Sequence, residues 1–93
     1  MDIEFEWDES KNRLNQQKHG IRFEDALHVF ADLSRWDAQD ARNDYGEERR
    51  ITIGLMGARV CVVSYTVRGE AVRLISARRA NEREQKKYRA AQG

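Results

Sequence analysis

Arginine is the residue type in this chain whose number and positions are most informative about the chemistry that the chain could perform. The 93 residues include 13 arginines but only four lysines. A guanidinium group keeps its charge and binds two phosphate oxygens at once, so arginines in excess favour a phosphate-binding surface. Four of them lie where predicted strands end or turn: Arg49, Arg68, Arg78 and Arg79. We predict a phosphate site here, centred on only one of Arg78 and Arg79 because consecutive strand residues point to opposite faces. The alternative is that each is a solvated charge or pairs with an acidic residue.

Four other residues have side chains that can transfer a proton: Lys18, His19, Glu48 and Tyr65. Histidine is the side chain that changes charge near neutral pH, which suits general acid–base chemistry. Each candidate has a structural alternative. Lys18 and His19 end a predicted helix, where cations bind the last carbonyl groups. Glu48 can form an ion pair with Arg49, and Tyr65 can be a core residue whose hydroxyl is hydrogen-bonded.

The sequence gives little sign of a metal site. A metal-dependent nuclease needs grouped carboxylates or histidines, whereas the acidic residues here are scattered over predicted edge and turn positions. The one cysteine, Cys61, can form neither an internal disulfide nor a cysteine-based zinc site. We therefore expect no metal and no other cofactor.

The chain has no feature that directs a protein to a membrane. Its first residues are acidic and lack the basic and apolar regions of a secretory signal. No apolar run approaches the roughly 18–20 residues of a membrane span. We expect a cytoplasmic protein without membrane association.

Charge is divided unevenly along the chain. Residues 1–48 contain 6 basic and 13 acidic residues, so the remaining 45 are strongly basic although the whole chain has a net charge of only +1. Such asymmetry favours a polyanionic partner for the basic half. The alternative is that the two halves pack together and neutralise each other.

The first half of the chain predicts one strand and two helices. Ile3 to Trp7 alternates apolar and acidic residues, which is typical of an edge strand. Asp8 as an N-cap and Gly20 as a C-terminal stop predict a helix between them. The apolar spacing of Phe23, Ala26, Leu27, Phe30 and Ala31 predicts a second helix.

The second half predicts a meander of strands followed by a helix. Residues 34–38 form a weak strand candidate and residues 43–46 a turn. Strands are predicted over 50–55, 60–67 and 72–78, joined by turns at 56–58 and 68–70. Asn81 and Glu84 have the spacing of a capping box, so a basic helix is expected over 82–91, with Tyr88 as its only large apolar residue.

These elements predict a single α+β domain over residues 1–93. Strands joined by short turns are antiparallel. We expect an antiparallel sheet of four to five strands, with two N-terminal helices packed on one face and a C-terminal helix. The other face of the sheet is then open to a ligand.

Two motifs give the chain a resemblance to a known family. The first is Phe5-x-Trp7-Asp8-x-x-Lys11-x-x-x-Asn15-x-x-Lys18-His19-Gly20-Ile21-x-Phe23-x-x-Ala26, and the second is Arg73-x-Ile75-Ser76-Ala77-Arg78-Arg79-Ala80. Glu48-Arg49, Gly54 and Val63-x-Tyr65-x-x-Arg68 lie between them, and Glu84 and Tyr88 follow. Over residues 3–90 the chain resembles the BrnT toxins of bacterial type II toxin–antitoxin systems, within the wider RelE-like group.

The resemblance implies a RelE-like ribonuclease that inhibits translation by cleaving RNA. It also implies a cognate BrnA-like antitoxin with a ribbon-helix-helix region, so that operator DNA is bound only through the toxin–antitoxin complex. RNA can be cut without a metal because its own 2′-hydroxyl can attack the adjacent phosphate. The protein must then supply a base, an acid and positive charge. The candidates for these roles are Lys18, His19, Glu48, Arg49, Tyr65, Arg68, Arg78 and Arg79.

Two other functions fit the same residues. The chain can be a non-catalytic module that binds the antitoxin and nucleic acid during operon autoregulation, with the arginines as phosphate anchors. It can also be an unrelated interaction domain with no affinity for phosphate.

Overall fold

One five-stranded sheet and three helices make up the part of the chain that the structure describes. The computed structural model describes residues 3–41 and 46–92. The elements in chain order are β1 (Glu4–Glu6), α1 (Glu9–His19), α2 (Phe23–Phe30), β2 (Trp36–Asp40), β3 (Arg49–Met56), β4 (Arg59–Arg68), β5 (Ala71–Arg79) and α3 (Glu82–Ala91). The strands are ordered β1-β5-β4-β3-β2. Most of the predicted turn over 43–46 lies outside the described residues.

The predicted α+β class is confirmed, with one difference in the sheet. Strands β2, β3, β4 and β5 pair with one another in antiparallel order, as their short connections require. Strand β1 instead pairs in parallel with β5, so the sheet is mixed. Because β1 and β5 are far apart in the sequence, no short turn constrains their relative direction. The predicted edge position of β1 is confirmed, and its Glu6 accepts a hydrogen bond from Arg73 of β5 at 2.7 Å.

The main core lies between the sheet and α2. Phe23, Ala26 and Val29 of α2 are fully buried and pack against Val63 and Leu74 of the sheet. Of the apolar residues of the alternating N-terminal segment, Phe5 and Trp7 also pack against this core, whereas Ile3 is mostly exposed. None of the helices in the described part of the chain is long and apolar enough to cross a membrane.

Helix α1 is fixed to the sheet through a polar side chain. Its N-cap is Asp8 and it ends at Gly20, whose φ of 70° favours glycine, so both predicted ends are confirmed. Strand β1 ends at Glu6 and leaves the edge of β5 without a neighbouring strand at Ala77. The Asn15 amide takes its place: Oδ1 accepts from the Ala77 N–H at 3.0 Å and Nδ2 donates to the Ala77 carbonyl at 2.8 Å.

Helix α3 packs on the sheet face opposite α2 and covers part of it. Tyr88 is buried and packs with Ile53 and Val62, while Lys87 lies 5.0 Å from the centre of the Trp36 ring. The capping box of Asn81 and Glu84 is present, as predicted. The expectation that the face opposite the two N-terminal helices is open therefore holds only in part. α3 contacts mainly β2 and β3, which leaves the surface of β4 and β5 less covered.

The Tyr88 hydroxyl connects α3 to the far side of the sheet. It donates to Asp32 Oδ2 at 2.6 Å, and the same oxygen accepts from the Leu55 N–H at 3.0 Å. Burial opposes ionisation of Asp32, but the bonds from Tyr88 and from two backbone N–H groups outweigh it and lower the pKa of the carboxyl. Asp32 therefore stabilises α3 as an anion.

We expect Tyr88→Phe to lower the free energy of unfolding by about 2 kcal/mol at pH 7, because it removes a partly buried hydrogen bond to a charged group. The pKa of Asp32 is lower in the folded than in the unfolded state, so its contribution is complete above about pH 4 and lost as pH falls further. Urea unfolding of both proteins between pH 7 and pH 2.5 measures this difference. A difference of constant size at every pH at which both proteins fold would contradict the role of Asp32.

Candidate active site

The sheet face opposite α2 carries arginine and serine side chains on β4 and β5. Strand pairing places Val62 opposite Arg78 and Ser64 opposite Ser76. Val62 packs with Tyr88, so its neighbours in this register share the α3 side. Arg73, adjacent to Glu6, belongs to the same side. We call Ser64, Arg73, Ser76 and Arg78, all of them half-buried, the open face.

Arg78 is held on the open face by a carboxylate from α3. Its Nη1 and Nη2 donate to Glu84 Oε1 and Oε2 at 2.8 and 2.7 Å. Glu84 also accepts from the Asn81 N–H, and only 18% of its side chain is exposed. The hydrogen bonds from Arg78 hold the pKa of Glu84 below its usual value. A rigid, ionised carboxylate therefore orients this guanidinium group.

The other arginines near the open face also meet carboxylates. Arg73 donates to Glu6 at 2.7 Å, and Glu47 lies 3.3 Å from Arg68 and 3.8 Å from Arg49. The predicted alternative, in which the acidic half partners the basic half, is thus present at these positions. Partly exposed ion pairs contribute about 0–1 kcal/mol, so a phosphate group can replace the carboxylate at small cost.

Lys18 and His19 border the open face from the side of α1. They line a cleft of about 220 Å³ with Lys11, Leu14, Asn15, Ile75 and Ser76. Ser76 belongs to both the cleft and the open face, so the positive end of this cleft continues onto the sheet surface. In the part of the chain that the structure describes, neither Lys18 nor His19 forms an ion pair with a carboxylate.

Tyr65 lies on the other side of the sheet, under α2. It is buried, its ring centre is 5.1 Å from that of Phe30, and its hydroxyl donates to Asp37 at 2.5 Å. Burial and the bond to Asp37 raise the pKa of Tyr65. This placement fits the alternative of a core tyrosine with its hydroxyl satisfied. A position of Tyr65 on the open face was also compatible with the sequence, because alternation alone does not say which face a strand residue occupies.

Glu48 has a different partner from the one expected. It lies 3.4 Å from Arg50, whereas Arg49 lies near Glu47. Arg50 points under α2 and donates to Asp37 at 2.8 Å, while the alternation of β3 turns Arg49 to the α3 side. Arg49 and Arg50 therefore lie on opposite faces of the sheet, which explains why Glu48 pairs with Arg50 and not with Arg49.

Arg79 points away from the open face. It pairs with Cys61, which packs in the core under α2, whereas Arg78 pairs with Val62 on the α3 side. The prediction that the two arginines occupy opposite faces is confirmed. Of the eight residues proposed from the sequence, Arg78 lies on the open face, and Lys18 and His19 share a cleft with its Ser76. Arg49 and Arg68 lie at the edge of that surface, whereas Glu48 pairs with Arg50, and Tyr65 and Arg79 point to the other side of the sheet.

The open face includes residues that the sequence analysis did not single out as functional. Ser64, Arg73, Ser76 and Glu84 lie in it or touch it. Arg73 and Ser76 belong to the motif of β5. The irregular pairing beside Ser64 and Tyr65 breaks the regular alternation, so alternation alone does not predict that both lie on this face. Glu84 was assigned a capping role only. Among residues 3–41 and 46–92, no group of three or more His, Cys, Asp or Glu side chains could hold a metal ion.

Comparison with known proteins gives the family. A search of curated proteins finds no match. A family model matches residues 7–84, and its description is "Ribonuclease toxin, BrnT, of type II toxin-antitoxin system". The matched region extends from Trp7, just after β1, to Glu84 in α3, and therefore includes the whole open face. The chain belongs to the BrnT family of ribonuclease toxins of type II toxin–antitoxin systems.

Proposed function

We propose that this toxin is a metal-independent endoribonuclease that cuts RNA on the open face. The observation that carries the proposal is the orientation of Arg78 by the largely buried Glu84. A guanidinium group fixed in advance loses little freedom when it binds a phosphate, and such preorganised charge is a large component of catalysis. Ser76, two residues before Arg78, lines the cleft that also contains Lys18 and His19 at the end of α1.

The chemistry follows from the residues around Ser76. The 2′-hydroxyl oxygen attacks the adjacent phosphorus, the bond to the 5′-oxygen breaks, and a 2′,3′-cyclic phosphate forms. Arg78 stabilises the charge that develops on the non-bridging oxygens. The 2′-hydroxyl loses its proton and the departing 5′-oxygen gains one. His19 transfers a proton in this exchange, and Lys18 lies beside it. Arg49, Arg68 and Arg73 bind flanking phosphates by exchanging their carboxylate partners.

The partner of the toxin is a protein antitoxin, as the type II class implies. We infer that this antitoxin is BrnA-like, with a ribbon-helix-helix region, and that the toxin contacts operator DNA only within the complex. The complex and the RNA substrate are located in the cytoplasm. Co-expression of the neighbouring open reading frame is the direct way to recover the pair.

The experiment that tests the proposed reaction uses the purified chain, a labelled RNA oligonucleotide and excess chelator. We expect products with 2′,3′-cyclic phosphate and 5′-hydroxyl ends. A matched oligonucleotide with 2′-deoxyribose at the cleavage position should stay intact, since it lacks the attacking hydroxyl. Cleavage of the deoxy substrate, or products with 5′-phosphate ends, would refute the mechanism.

The arginines of the open face also fit one other function, a non-catalytic module that binds the antitoxin and nucleic acid, with these side chains as phosphate anchors. In that case RNA stays intact across substrates, ribosome-bound message included, while the chain still binds RNA with a salt-dependent affinity. Growth arrest on expression that depends on Arg78 would reject this function.

A further inference from the structure

Three arginines from separate elements surround a second cleft, outside the open face. Arg59 begins β4, Arg79 ends β5 and Arg89 lies in the last turn of α3. Together with Gln85, Ala58, Val60 and Ala80 they line a space of about 260 Å³. We call Arg59, Arg79 and Arg89 the arginine triad.

The fold brings the arginine triad together through three local contacts. The turn at Gly57 returns the chain into β4, so that Arg59 lies at the same end of the sheet as Arg79. The Ala80 N–H donates to the Val60 carbonyl at 2.9 Å, which fixes the start of α3 beside β4. Gln85 then donates to the Ala80 carbonyl and accepts from Arg89 Nη2, both at 3.2 Å. Gln85 therefore turns the Arg89 side chain toward the other two.

Charge distinguishes the arginine triad from the open face. In the described residues, no carboxylate pairs with Arg59, Arg79 or Arg89, whereas Arg73 and Arg78 each contact one. Burial raises the pKa of the nearby Cys61 thiol, and the positive charges of Arg79 and Arg59 oppose this effect, so both guanidinium groups act on the same region. Three like charges around one cleft repel each other, and an anion bound between them removes that repulsion.

The chemistry of the triad selects a phosphate group as its ligand. Guanidinium groups bind phosphate oxygens through paired N–H donors, and three of them offer more donors than one phosphate can accept. All three arginines are exposed, so solvent and salt screen their attraction for a single free anion. A polymer that is already bound elsewhere on the protein binds more tightly, because the triad contacts one of its further phosphates. Arg78 and Arg79 are consecutive, so the triad lies next to the end of the open face that Arg78 occupies.

We propose that the arginine triad is a second phosphate site, which binds a backbone phosphate of the same RNA outside the position of cleavage. This inference rests on the proposed function for the choice of ligand. It gives Arg79 a binding role on the side of the sheet away from Arg78.

The test measures binding of a single-stranded 2′-O-methyl RNA oligonucleotide, which cannot be cleaved by attack of its own 2′-hydroxyl. Fluorescence anisotropy is recorded between 50 and 300 mM salt, about the range in which phosphate contacts dominate affinity. Each of Arg59→Ala, Arg79→Ala and Arg89→Ala should reduce the slope of log K against log salt by about 0.7, the value for one phosphate contact to a single strand. Arg59→Gln and Arg79→Gln keep a long polar side chain without the charge and serve if an alanine variant is unstable.

Arg13→Ala is the matched control, because Arg13 is exposed on α1 and lines none of the clefts described above. It should leave the slope within about 0.2 of the original value, since it removes the same charge from another place. Slopes for the triad variants that equal the slope for Arg13→Ala would overturn the proposal. A change of slope that is seen with duplex DNA but not with the single-stranded RNA would also overturn it.

The two proposals fail in different ways. If natural RNA stays intact but each triad variant shows the reduced salt slope, the second phosphate site stands and the ribonuclease mechanism falls. If natural RNA is cleaved but the triad variants bind like the original protein, the mechanism stands and the second site falls.

Discussion

Arg78→Ala should lower the rate of RNA cleavage at saturating substrate by about 10²–10³-fold, the cost typical of removing one preorganised donor from a developing oxyanion. The expected loss is large because Glu84 holds the guanidinium group in one orientation by two hydrogen bonds, at 2.8 and 2.7 Å. Single-turnover cleavage of a labelled RNA measures it. The same variant should remove growth arrest when the toxin is expressed without its antitoxin.

Two further variants show whether orientation matters as well as charge. Glu84→Gln keeps the size of the side chain but removes the anion that orients Arg78, so we expect a smaller loss of rate, about tenfold, with binding little changed. Arg13→Ala removes a charge from α1 and should leave the rate within about twofold. Urea unfolding of each variant separates loss of chemistry from loss of fold. A folded Arg78→Ala variant with nearly full activity would exclude Arg78 from the reaction.

The sequence predicted the parts of this site that depend on local periodicity. Alternation along β5 correctly placed Arg78 and Arg79 on opposite faces, because residue period two is a property of any regular strand. The capping box at Asn81 was predicted for the same reason, since its partners are three residues apart. Local geometry therefore identified the ends of the elements and the candidate arginines.

The partners of the charged groups could not be predicted in the same way. Glu6 contacts Arg73 only because β1 pairs in parallel with β5, and no turn residue predicts this pairing. Tyr65 likewise meets Asp37 across the sheet, 28 positions away in the sequence. Such contacts depend on strand order, which alternation leaves open. The first-helix motif also makes a contact that strand order determines, since its Asn15 donates a hydrogen bond to Ala77, 62 positions away in the sequence.

Asn15→Ala should be the most destabilising single change in α1. The Asn15 side chain is buried and makes three hydrogen bonds to the backbone, one to the Ile21 carbonyl at 2.9 Å and two to Ala77. Removing it leaves the N–H and C=O of Ala77 without their partner at an edge that no other strand covers. Each buried group left unsatisfied costs about 1–3 kcal/mol, so we expect a loss of about 3 kcal/mol or more in the free energy of unfolding.

Gln16→Ala is the matched control for this change. Gln16 is the next residue of α1, its side chain is exposed, and alanine is the best helix former, so stability should change by less than about 0.5 kcal/mol. Urea unfolding at pH 7 compares the two variants. Hydrogen exchange should also become faster at the Ala77 amide in Asn15→Ala, because that N–H loses its acceptor. If Asn15→Ala lost less than about 1 kcal/mol, water would have to replace the amide at the edge of β5, and α1 would not depend on this contact.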